Sequence, residues 1–257
     1  MTHTDPLAEL TAEYLNEVTS RVQKLAAQAQ AGAFDAAIDL MADAIEQGGV
    51  VQAFGTGHSE AFAMEIAGRA GGLIPTNKIA LRDVVLRGSR DVGILTGSEL
   101  ERSPAVVDEL FDVSTIGEHD VFIIASNSGV NGSILGLALL AKQHGHKLIA
   151  VTSMEHTSRV EPKHPSGKRL HEVADVVLDN LAPFGDATLE LGDGVPVGAV
   201  SSITAAFIAQ LLTIGTAERL ARGGKTPPLY ISANIPGGDE HNKQLEDLYR
   251  GKIRRSA

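Results

Sequence analysis

Val50-Val51-Gln52-Ala53-Phe54 runs into Gly55-Thr56-Gly57-His58-Ser59, and far along the chain Val121-Phe122-Ile123-Ile124-Ala125 runs into Ser126-Asn127-Ser128-Gly129-Val130-Asn131. Both stretches share one design. A short β-rich run meets a Gly/Ser turn that opens an amphipathic helix, so backbone N–H groups and hydroxyls point outward from the carboxyl end of a strand. Such a turn cradles an anion, and two of them point to a phosphorylated ligand.

Around these units the hydrophobic periodicity sets the rest. Leu7, Leu10, Tyr14, Val18, Val22 and Leu25 recur at helical spacing, and a second helix is predicted from Phe34 to Gln47 before Gly48-Gly49. Helices are also predicted over Ser59 to Arg69, from Pro104 through Phe111, over Ser133 to His144 and over Ser201 to Arg222. Further strands are expected at Lys147 to Thr152 and Asp175 to Leu178, separated by a polar loop rich in His, Pro and Lys. Arg82 to Leu95 has mixed character, and the tail carrying Gly237-Gly238-Asp239-Glu240-His241-Asn242 reads as irregular. Alternating β and α elements with short connections imply a three-layer α/β/α sandwich around a mostly parallel sheet, preceded by extra N-terminal helices over about 1–48. In such sheets ligands sit outside the carboxyl ends of the strands.

The 257 residues suffice for one large α/β domain, 1–257, and no Pro/Ser-rich linker divides it. With 22 Lys plus Arg against 32 Asp plus Glu the formal charge is −10, which disfavours nucleic acid and anionic lipid as partners. Lys252, Arg254 and Arg255 form the one basic run, read as a solvated end. Cysteine is absent, which excludes disulfides and thiolate chemistry. The amino terminus has no basic n-region followed by an apolar h-region, so a cytoplasmic protein is expected, with no membrane span.

Several cofactor classes drop out on motif grounds. A dinucleotide fingerprint needs a third glycine three residues after Gly57, where Glu60 stands, and a P-loop lysine is missing. The 9 His residues show no H-x-x-x-H pair or carboxylate grouping with ligand spacing, so neither a metal nor another cofactor is expected. In the second turn, Ser126 and Ser128 beside Gly129 offer two hydroxyls to one phosphate, and the amide of Asn131 can add a donor. Gly57, His58 and Ser59 make up the first cradle with Gly55, and His58 either contacts the sugar or caps the turn.

At these residues the chain resembles the SIS (sugar isomerase) domain family. GTGHS at Gly55 to Ser59 and SNSG at Ser126 to Gly129 carry the likeness, and RAGGL at Arg69 to Leu73, Leu100-Glu101-Arg102, HPSGKRL at His164 to Leu170 and GGDEHN at Gly237 to Asn242 extend it. These motifs are similar to those of the UPF0309 group, related to N-acetylmuramic acid 6-phosphate etherase and including a member assigned as an N-acetylglucosamine-6-phosphate dehydratase. The resemblance implies a five-stranded sheet, a homodimer or homotetramer, and a sugar-phosphate site shared between subunits. The chain departs from the S-x-S-G-x-T of many isomerases, since Asn131 and Ser133 stand after its glycine.

The resemblance also supplies candidate chemistry. Glu65 matches an acidic residue before the Gly-Arg of phosphoheptose isomerases, here Gly68-Arg69, and Glu101 lies where amino-sugar isomerases and the etherase present a glutamate. Glu60 and Glu65 project about 140° apart on a helix, so one of them at most faces the site. His241 corresponds to histidines that SIS enzymes supply across the dimer, and can donate or accept a proton near neutral pH. Lys168 and His164 belong to the polar loop, where Lys168 offers charge to the phosphate. The implied reaction anchors an N-acetylhexosamine 6-phosphate on Ser59, Ser126, Ser128 and Asn131, with Asn127 in the same turn. Glu65 or Glu101 removes the C2 proton and His241 or the second glutamate supplies the acid; loss of the C3 hydroxyl gives a dehydratase, loss of a C3 lactyl ether an etherase, and protonation at C1 an isomerase. A sugar-phosphate sensor without chemistry is the remaining alternative.

Overall fold

The computed structural model describes residues 5–255. Met1 to Thr4, on which the reading of the amino terminus rests, lie outside them. Helix α1 (Pro6–Gln30) starts where the Asp5 side chain accepts from Leu7 N and Pro6 occupies the first turn, a position that needs no N–H donor. Helix α2 (Asp35–Glu46) leads into β1 (Val51–Gly55), then α3 (Glu60–Ile66), β2 (Thr76–Ile79) and the short helices α4 (Asp83–Leu86) and α5 (Glu99–Arg102). Next come α6 (Val106–Asp112), β3 (Val121–Ala125), α7 (Gly132–Gln143), β4 (Lys147–Thr152), α8 (Met154–Thr157) and β5 (Val176–Asp179). The chain finishes with a hairpin, β6 (Ala187–Leu191) and β7 (Val195–Ala199), then α9 (Ser201–Arg222) and α10 (Gly238–Leu248).

The main sheet has five strands, all parallel, in the order β2-β1-β3-β4-β5. Its inner strands are buried on both faces, which is why they read as continuous apolar runs. Alternate residues divide the core in two. Val51, Ala53, Val121, Ile123 and Val151 pack with Met41 of α2, Phe62 of α3 and Ile208 and Leu212 of α9. Phe54, Phe122, Ile124 and Leu148 pack the other way, against Leu110 of α6 and Ile134 and Leu137 of α7. Phe54 and Phe122 are fully buried, each worth about 1.5–3 kcal/mol of apolar transfer. The expected three-layer α/β/α sandwich is the observed fold.

Polar groups fix the register at the amino end of the sheet. The buried Asp120 carboxylate accepts from Val50 N at 2.8 Å, Gln52 Nε2 at 2.7 Å and Gly117 N at 2.9 Å, joining the starts of β1 and β3. A buried carboxylate needs such partners to hold its charge away from water.

Four expectations on local structure need correction. The tail is not irregular: Gly238–Leu248 is a helix whose Gly237 N-cap takes a left-handed φ of 78°. Helix α3 ends at Ile66 rather than Arg69, and Ser59 belongs to a 3-10 turn before it. Pro104 stands two residues ahead of α6, not in its first turn. Arg254 and Arg255 are tied to the fold: Arg254 N donates to Asn77 Oδ1 at 2.7 Å and Arg255 Nη2 to Ile74 O at 2.6 Å. Strand β2 and the β6-β7 hairpin have no counterpart among the predicted elements.

Candidate active site

Because β1 and β3 pair in parallel with Gly55 opposite Ala125, the two Gly/Ser turns leave the sheet side by side. Their proximity follows from strand order. A small pocket opens between them, lined by His58 and Ser59 of the first turn, Ser126 and Asn127 of the second, and Ser201 and Ser202 at the start of α9. Ser201 and Ser202 were not singled out from sequence, although the 22-residue helix they open was expected. A pair of serines at a long helix's amino end beside an anion cradle was the available signal. Asp186 braces this corner, accepting from Ser201 N at 2.8 Å and from Ser201 Oγ at 2.6 Å.

The second turn is the more rigidly built. Ser126 is buried and its Oγ accepts from Gly129 N at 3.1 Å, which leaves the hydroxyl proton available to a ligand. Asn127 Oδ1 accepts from Asn180 Nδ2 at 3.1 Å, and the Asn127 carbonyl accepts from Ser153 N at 3.2 Å. Gly129 has φ 63°, and a Cβ there would meet Thr152 Oγ1, Leu170 Cβ and Thr157 Oγ1 at 3.2–3.3 Å. The buried Thr157 hydroxyl has no partner among the described residues. Ser128 is half-buried.

Glu101 comes to the middle of this arrangement. Its Oε1 accepts from Asn131 Nδ2 at 2.5 Å, and its Oε2 lies 3.7 Å from where a Cβ on Gly57 would stand. Its backbone carbonyl accepts from Ser133 Oγ at 2.8 Å. The segment can lie so close because residue 132 is glycine: a Cβ there would fall 2.0 Å from Arg102 O. Asn131 therefore spends its amide donor on Glu101, and the atom left buried without a partner is its Oδ1, an acceptor.

The polar loop expected between β4 and β5 lies against the second turn. Leu170 N donates to Gly129 O at 2.8 Å and Lys163 N to Val130 O at 3.2 Å. Lys168 is exposed on it, while His164 Nδ1 pairs with Ser166 Oγ at 2.9 Å. Burial lowers the His164 pKa below its ordinary value.

Three expected residues lie elsewhere in this chain. Glu65 accepts from Gln210 Nε2 at 2.7 Å and pairs with Arg69. Gln210 is nine positions along α9 from Ser201, or about 13 Å along the helix axis. Glu60 accepts from Arg82 Nη1 at 3.0 Å and pairs with Lys78 at 3.3 Å. His241, exposed on α10, has Nε2 3.0 Å from Leu229 O. Leu229 bridges to Leu73, just before β2, so His241 belongs to the amino end of the sheet, a strand length of about 13 Å from the turns.

Comparison with known proteins gives the family and the fold. The SIS domain profile matches residues 13–153. A UPF0309 protein of Listeria monocytogenes is 38% identical over 240 residues, covering 92% of this chain and 94% of its own. Another from Brucella canis is 36% identical over 251 residues, covering 96% and 98%. The solved structure of a phosphoheptose isomerase from Neisseria gonorrhoeae shares the fold, with a TM-score of 0.51 at 18% identity over 84% of this chain and 99% of that one. The chain belongs to the SIS domain family and, within it, to the UPF0309 group.

Proposed function

We propose that this protein binds an N-acetylhexosamine 6-phosphate between the two turns and, as a carbon–oxygen lyase, removes the C2 proton and eliminates the C3 hydroxyl. The observation that carries the reading is the position of Glu101, whose carboxylate is held by Asn131 of the second turn and stands beside Gly57 of the first. The phosphate takes hydrogen bonds from Ser59, Ser126 and Ser128, with the amino end of α9 adding its partial charge. Anchoring one end of the open-chain sugar brings C2 to the carboxylate.

The C1 aldehyde acidifies C2–H. Glu101 takes that proton, the electron pair forms the C2=C3 bond, and the C3–O bond breaks as the leaving oxygen takes a proton from His241 of a second subunit and departs as water. His58 lines the pocket and contacts the sugar. His241 reaches this site only from a second subunit, so a shared-site homodimer or homotetramer completes the proposal. Lys168, on the loop against Gly129, contributes charge to the phosphate. The runner-up, an aldose–ketose isomerase, uses the same first step but returns the proton to C1; the phosphoheptose isomerase with this fold bears that activity in its name.

The test is incubation of the purified protein with N-acetylglucosamine 6-phosphate in deuterated water, followed by NMR. An unsaturated product without the C3 hydroxyl supports the lyase. Deuterium at C2 without elimination moves the assignment to the isomerase. No exchange on this sugar, with binding retained, leaves the sensor reading in place of the enzyme.

A further inference from the structure

A second concentration of charge lies away from the turns, where the C-terminal segment crosses the edge strand β2. A pocket of about 280 Å³ opens there, near the lower end of volumes typical for small-molecule sites. Among the described residues, every charged one lining it is a cation: Arg69, Lys78, Arg87, Arg254 and Arg255. That is unexpected in a chain with a net charge of −10.

These cations are held in place from behind. Arg255 stacks on Tyr230 with 4.9 Å from its guanidinium carbon to the ring centroid, and donates to Thr76 O at 2.9 Å and Ile74 O at 2.6 Å. Arg254 donates to Val113 O through Nη1, and Asn77 Oδ1 fixes its backbone. The carboxylates that offset the group, Glu60, Glu65, Asp83 and Glu246, pair with Lys78, Arg69, Arg87 and Arg255 from outside the lining. The Asp83 to Arg87 pair is loose, at 3.6 Å. Burial first, and then repulsion from Arg87, bring the Arg254 pKa below its ordinary value.

Lys78, Arg87 and Arg254 also line a narrower recess that continues toward Gln52 and contains Asp83. Gln52 is fully buried, and its Nε2 donates both to Thr115 O and to Asp120 Oδ2 at 2.7 Å, so the orientation of its amide is fixed. Among the described residues its Oε1 has no partner. An orphaned acceptor beside clustered cations matches a ligand that carries an anion and a hydroxyl donor together.

We propose that this pocket binds a hydroxyl-bearing organic phosphate of at least two negative charges, at a site separate from the Gly/Ser turns. The proposal is independent of the reaction assigned to the turns. Calorimetry at low ionic strength with two probes, inorganic pyrophosphate and glycerol 2-phosphate, tests it. Both are expected to bind, with glycerol 2-phosphate the tighter per charge because its hydroxyls reach Gln52. Arg254→Gln and Lys78→Gln should each weaken binding at least tenfold, Arg254→Lys should weaken it less, and Arg222→Gln, which removes an exposed cation at the end of α9, should leave it unchanged. Arg254→Gln and Lys78→Gln proteins with wild-type circular dichroism and melting temperature serve as the readout; if one unfolds, Arg87→Gln replaces it. No binding of either probe, unchanged binding in the Arg254 and Lys78 variants, or an equal loss in Arg222→Gln overturns the proposal. Equal affinity per charge for the two probes removes the hydroxyl requirement and with it the role of Gln52.

Discussion

The two Gly/Ser turns begin from the same β-to-helix design and end as different devices. The first is open: Gly57 and His58 are exposed, and a Cβ on Gly57 would find only Glu101 within 4 Å. The second is enclosed, with Ser126 buried beneath Gly129 and Gly129 boxed in by Thr152, Thr157 and Leu170. Under the proposed function, the enclosed turn would hold the phosphate in one place and the open one would admit sugars of differing shape. A fixed anchor and a tolerant mouth are compatible because they sit on adjacent strands of one rigid sheet.

The sharpest way to break the comparison is at the residue between the turns. Glu101→Gln is expected to cut C2 deuterium exchange roughly 10²–10⁴-fold with ligand affinity retained, as for loss of a general base. Exchange at the wild-type rate would take Glu101 out of the reaction. Gly132→Ala comes next, since its Cβ would strike Arg102 O; a loss of about 3 kcal/mol of stability in urea is expected, with exchange slowed because Glu101 is displaced. Ser128→Ala should weaken sugar-phosphate binding by about 1–3 kcal/mol, the cost of one charge-assisted donor, whereas unchanged calorimetry would remove Ser128 from the site.

Replacing the left-handed glycines measures the contrast directly. Gly129→Ala combines the strained φ with crowding and should cost about 2 kcal/mol, against about 1 kcal/mol for Gly57→Ala, where only the φ of 56° matters. Equal losses in chemical denaturation would mean that the second turn is no more constrained than the first.

The smallest effect concerns the unit that carries the second turn. His146, at the start of β4, has its pKa lowered chiefly by burial, partly offset by Asp120. The fold therefore favours the neutral ring, so its contribution is complete above the ordinary histidine pKa near 6.5 and is lost as pH falls through the lowered value. Its slope is at most about 1.4 kcal/mol per pH unit for one proton. Urea titrations at stepped pH should show a shallower acid decline for His146→Gln than for the wild type.

What the sequence made legible follows the strength of its patterns. Strands β1 and β3 are buried on both faces and, Gln52 apart, apolar, and each runs into a Gly/Ser turn, so both their existence and the position of the turns could be read. Helices α1, α2, α7 and α9 announce themselves by apolar spacing. Strand β2, Thr-Asn-Lys-Ile, could not be found this way, because an edge strand that pairs on one side needs no apolar run. Helix α10 is strongly polar, with exposed Asp239, Glu240 and His241 in its first turn, so it gives no core periodicity. For the site, the turns were readable because their residues are contiguous. The placement of Glu101 depends on Asn131, on a glycine thirty-one positions away and on strand order, none of which is local. Glu65 looked equivalent to it in sequence, yet Gln210 and Arg69 engage it.

Strand order has a kinetic side as well. The bond from Val50 N to the Asp120 carboxylate spans 70 positions, with β1, β2 and the four helices α3 to α6 threaded between. Closing so long a loop costs entropy before any strand contact repays it, and topologies rich in such contacts fold slowly. Neither turn can bind as a pair until that closure is made. Nascent chains that have emerged only as far as β2 therefore lack the paired turns, and under the proposed function a sugar phosphate would protect this protein from unfolding only after its central strands have already met.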